Sequence, residues 1–150
     1  GKRMVAGKGM ALVLLGGLAL ILSGCGAVQI GLVEGDGTEA NPTELGTAPV
    51  TYDTGVGHRL DGRLSRSHYS LTVLPDTTYE IAIRRKEADL DVIVYGDEGF
   101  SDELARGTGT TVEDETFEVT SGADTTVLYL QARPIFFDTT FRLEVDRVTN

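Results

Sequence analysis

Alternation with a period of two, recurring from about residue 45 to the C-terminus, most narrows what this chain can become. Tyr69, Leu71 and Val73 alternate with His68, Ser70 and Thr72, and Tyr79, Ile81 and Ile83 form a second row. Phe141, Leu143 and Val145 alternate with Arg142, Glu144 and Asp146. Successive side chains of a strand point to opposite faces, so each row can bury one face and leave the other in water. Leu60, Gly62 and Leu64 read as a further short strand, as do Phe117 and Val119. Leu90–Tyr95, apart from Asp91, and Val127–Ala132 are apolar on both faces, as central strands are. Turn residues punctuate the series at Pro75-Asp76, Gly96-Asp97-Glu98-Gly99 and Ser121-Gly122-Ala123-Asp124, and the passage from Gly99 to about Glu115 reads as loop-rich. No window outside the N-terminal leader has a helical period. The prediction is an all-β sandwich over residues 46–150, with about seven to eight strands.

The first 45 residues obey different rules. Lys2, Arg3 and Lys8 precede the apolar run Ala11–Leu22, and the small residues Ser23 and Gly24 precede Cys25, the sole cysteine. That is the layout of a secretory signal. Its apolar run is shorter than the ~20 residues a membrane-crossing helix needs. Leu22-Ser23-Gly24-Cys25 resembles the lipobox of bacterial lipoproteins. The resemblance implies a signal peptide over 1–24, removed just before Cys25, and acylation of the Cys25 thiol, which becomes a membrane anchor in the cell envelope. In a Gram-negative source, Gly26 after the cysteine favours the outer membrane by the same resemblance. Residues 25–45, rich in glycine, polar and acidic residues, read as a flexible tether whose acids Glu34, Asp36, Glu39 and Glu44 stay solvated.

Within 46–148 the order of features resembles the bacterial pre-peptidase C-terminal (PPC) domain and its collagen-binding relatives. The likeness is carried by Gly62-Arg63-Leu64, the Tyr69 strand, Thr78-Tyr79-Glu80-Ile81 and Asp89-Leu90-Asp91-Val92-Ile93-Val94-Tyr95. It continues through Thr126–Leu130 and the closing Thr140–Val145. It implies a jelly-roll-like antiparallel sandwich. Where that family often has Asp-x-Asp before its first aromatic strand, this chain has Ser65-Arg66-Ser67-His68.

Charge and composition then exclude partners. All 23 acidic residues follow Cys25, against 10 basic ones, a formal charge of −13 for that part. Such a surface repels nucleic acid and anionic lipid headgroups, which disfavours DNA, RNA and electrostatic membrane binding. The two histidines, His58 and His68, are the available general bases, but no Gly-x-Ser-x-Gly elbow or comparable nucleophile setting accompanies them, and both read as solvated strand residues. A hydrolase is therefore disfavoured, and no catalytic residue is assigned. Calcium is the one cofactor considered, since carboxylates suit it. By resemblance to the collagen-binding relatives, a tether acid, Glu34, Asp36 or Glu39, would join Asp89 or Asp91 around Ca²⁺. The hairpin tip Pro134-Ile135-Phe136-Phe137-Asp138 is expected to fold back and plug one end of the sandwich; if exposed, Ile135, Phe136 and Phe137 would form a contact patch. The leading expectation is a lipid-anchored, non-catalytic binding or assembly module for a protein or polysaccharide partner. The alternative is a calcium-dependent module for carbohydrate or collagen-like substrates.

Overall fold

The computed structural model describes residues 35–57 and 65–149, which form nine strands and no helix. The all-β expectation holds. The strands are β1 (Thr43–Thr47), β2 (Val50–Val56), β3 (Ser67–Thr72), β4 (Thr78–Arg84), β5 (Leu90–Tyr95), β6 (Glu103–Gly107), β7 (Glu115–Thr120), β8 (Val127–Pro134) and β9 (Thr139–Arg147). One sheet runs β1-β3-β8-β5-β6 and the other β2-β9-β4-β7. The leader, Cys25 and the expected strand at 60–64 lie outside the described residues.

The two runs apolar on both faces are the inner strands of the five-stranded sheet. β8 pairs antiparallel with β3, Leu130 opposite Tyr69, and with β5, Leu130 opposite Val94. In the other sheet β9 sits between β2 and β4, with Leu143 opposite Tyr52 and Ile83. Between the sheets lies one apolar layer that includes Tyr69, Leu71, Ile81, Ile83, Leu90, Val92, Val94, Leu128, Leu130, Phe141 and Leu143, all nearly or fully buried. These are the alternating residues of the sequence rows, and their removal from water is the main stabilising term.

Three elements depart from expectation, the first being β2, an edge strand at Val50–Val56 that none of the sequence rows assigns. β6 occupies part of the passage read as loop; it pairs with β5 through a bulge between Val94 and Tyr95. It is a short, mostly exposed edge strand whose pairing depends on β5 rather than on its own pattern. β1 begins inside the stretch read as tether and crosses its expected end at residue 45. It pairs parallel with β3, Thr43 opposite Tyr69 and Thr47 opposite Thr72, so residues 35–45 are docked on the sandwich rather than free.

Candidate functional site

Asp36 explains why the segment before β1 docks. One carboxylate oxygen accepts from Thr43 Oγ1 at 2.6 Å. The other accepts from Tyr52 OH at 2.7 Å and Thr54 Oγ1 at 3.0 Å, both on β2 of the opposite sheet. Its backbone is held as well: Asp36 N–H donates to Ser67 Oγ and its carbonyl accepts from His68 N–H, each at 2.7 Å. Burial raises the Asp36 carboxyl, but the Thr43, Tyr52 and Thr54 hydroxyls together outweigh it and hold the group below its ordinary value. Asp36 is thus a buttress between the sheets, and the expectation that it stays solvated is corrected.

The other two predicted cation ligands lie elsewhere. Asp91 is on the outer face of β5, opposite Arg133, and Asp89 precedes that strand. Burial, then the neighbouring Asp89 charge, pushes the Asp91 carboxyl above its ordinary value. Asp36 is not brought to them, because its acceptor positions face the hydroxyls between the sheets. Among the described residues no group of three His, Cys, Asp or Glu side chains could hold a metal ion.

The outer face of the five-stranded sheet has two halves. One is capped by Phe100, a residue the sequence reading passed over. Asp97 shapes the loop that brings it there: its carboxylate accepts from Ser101 N–H at 2.9 Å, Asp102 N–H at 2.8 Å and Ser101 Oγ at 2.5 Å. Those bonds lower the Asp97 carboxyl to about 2. Phe100 then meets His68, Tyr95 and Tyr129 edge to face, with ring centroids 5.0, 5.5 and 5.6 Å apart. Beneath it, Arg133 Nε donates to Gln131 Oε1 at 2.6 Å, and Gln131 Nε2 lies 3.0 Å from His68 Nε2. His68 is 7% exposed, which corrects the expectation of a solvated histidine. Its Nε2 faces the Gln131 amide and not a serine hydroxyl. His58 lies outside the described residues.

The other half of this face is open. A groove of about 720 Å³ is walled by Glu39, Asn41, Glu44 and Gly46 of the docked segment and floored by Ser70, Thr72, Val127 and Tyr129. Glu98 closes its far side. Three carboxylates and no basic residue line it. The groove exists because β1 docks. Reading 25–45 as tether therefore hid it, although the even positions of β3 and the odd positions of β8 were legible as one face.

The hairpin tip is the last predicted feature. Phe136 and Phe137 are 73% and 70% exposed, with ring centroids 6.5 Å apart, while Ile135 is half-buried. The expected plug does not form. Val56 opposite Thr139 and Leu90 opposite Pro134 already close the strand ends below it.

A two-sheet β-sandwich with an acidic surface groove and an exposed aromatic tip is the class these features define. In structure it is similar to the PPC domain of a collagenase from Bacillus anthracis, with a TM-score of 0.53 and 16% identity, covering 71% of this chain and 95% of that one. It is also similar to PliG from Aeromonas hydrophila, a periplasmic inhibitor of g-type lysozyme, with a TM-score of 0.50 and 12% identity, covering 71% and 96%. The shared fold supports the sandwich read from the strand pattern. No protein family model and no curated protein matches the sequence.

Proposed function

We propose that this chain is a lipid-anchored, non-catalytic binding module of the cell envelope, and that its groove takes a cationic segment of a protein partner. The observation that carries the reading is the groove lining: Glu39, Glu44 and Glu98 converge on an open, polar trough beside the Tyr129 ring, with no opposing base. Carboxylates so placed attract and orient a positively charged chain, while the aromatic ring supplies a face for lysine or arginine stems. His68, the one described histidine, is committed to Gln131 and Phe100, which leaves that face without an available general base. Of the two proteins with a similar fold, one is a lysozyme inhibitor and the other a domain of a collagenase, which is consistent with a non-catalytic module. Leu22-Ser23-Gly24-Cys25 supports the anchor, with the acylated Cys25 as the point of attachment.

The test is photo-crosslinking in intact envelopes, with a photoreactive residue at Glu44 in the groove or at Thr116 on the exposed face of β7. Protein adducts are expected from position 44, fading as salt screens the charges, and not from position 116. Equal yields at both positions, or none at 44, would contradict the reading.

A further inference from the structure

We propose that the Phe136–Phe137 tip inserts into the surface of the bilayer that holds the anchor, so that the sandwich stands tip-down with its groove turned away from the membrane. This rests on the anchored reading above. Its own support is where the chain enters the fold. Gly35, the first described residue, lies against the Arg66 backbone: a Cβ there would sit 2.7 Å from the Arg66 carbonyl oxygen. Arg66 immediately precedes β3, where Ser67 is opposite Ala132 of β8. Two residues beyond Ala132, β8 ends at Pro134 and the tip begins. Ile135 N–H donates to the Asp89 carbonyl, and Ser65 N–H donates to the Gly57 carbonyl, next to the Val56–Thr139 pair. Gly35, Ser65, Asp89 and the tip therefore share one end of the sandwich.

Nine residues lie between Cys25 and Gly35, a length of chain of at most about 36 Å. β8 has eight residues, roughly 24 Å from end to end. The end at which the described chain begins is the one that exposes two adjacent phenylalanines, while the groove floor at Thr72 and Val127 lies toward the other end.

Aromatic rings at the headgroup level gain from burial without crossing the bilayer. The tip is too small to hold the domain alone, so it orients a molecule that acylation has already delivered.

The chain has no tryptophan, so a single one reports its own surroundings. Full-length acylated protein carrying Phe136→Trp, or Leu74→Trp at the far end where Leu74 is 51% exposed, is reconstituted into vesicles of phosphatidylcholine with brominated acyl chains. The expected result is emission at shorter wavelength and strong bromine quenching for Phe136→Trp, with neither for Leu74→Trp. Mass spectrometry of the same samples reads the acyl chains on Cys25. Acylated protein in which both probes are quenched equally, or not at all, overturns the tip insertion alone. A wavelength shift at Phe136→Trp without quenching, growing with protein density, overturns it in favour of contact with a second copy. Unmodified Cys25 overturns the anchored reading and this inference with it.

Discussion

Arg133 sets the state of His68 without touching it. By donating to Gln131 Oε1 it turns the amide nitrogen toward His68 Nε2, which must then accept and carry no proton. Burial lowers the affinity of His68 for a proton, and the Glu39 carboxylate 3.8 Å away only partly offsets that. The unfolded chain binds the proton more readily, at about pH 6.5. Stability from this residue is therefore complete above about pH 6.5 and is lost as pH falls toward the lower folded value. Urea unfolding between about pH 7.5 and about pH 5 should show a steeper loss for the wild type than for His68→Gln; equal slopes would contradict the assignment. In the sequence, His68 was visible as an outward strand residue but its burial was not. The cover comes from Phe100, 32 positions along the chain, delivered by a loop that Asp97 shapes. Alternation reports a side chain's direction, not what folds over it.

Elements divide the same way. β3, β4, β5, β8 and β9 were legible because each carries its own apolar row into the common core. β1 and β6 were not, because both are edge strands whose order is lent by a neighbour. For β1 the lender is β3 together with the Asp36 network, contacts that span 31 residues in the case of Asp36 and Ser67. Glycine content in this segment signalled flexibility, yet Gly37 marks a tight approach. Its φ is 71°, and a Cβ there would run into the His68 carbonyl oxygen and come within 2.7 Å of the Thr43 nitrogen. Gly37→Ala should destabilise the domain by about 1–3 kcal/mol. Hydrogen exchange should show the loss concentrated in the β1 amides, and the groove should loosen with them. Unchanged exchange across Thr43–Thr47 would mean that β1 docks without help from this turn.

For the whole molecule, strand periodicity carried the two-sheet architecture, and it carried neither the groove nor the ends. Those arise from which loops the topology gathers together: the docked segment beside Tyr129, and Gly35 at the same end as Phe136. The sandwich has two unlike ends, the groove lying toward one and the exposed Phe136–Phe137 tip forming the other. A molecule so polarised is useful when one end has a fixed address, which the proposed reading assigns to Cys25. Several acyl chains would be needed there, since one alone gives only marginal attachment. The direct measurement is metabolic labelling with a traceable fatty acid in cells that make the full chain, wild type or Cys25→Ala. The account predicts label in the wild-type protein, its presence in the membrane fraction, and loss of both in Cys25→Ala. Unlabelled wild-type protein, released in soluble form, would contradict it.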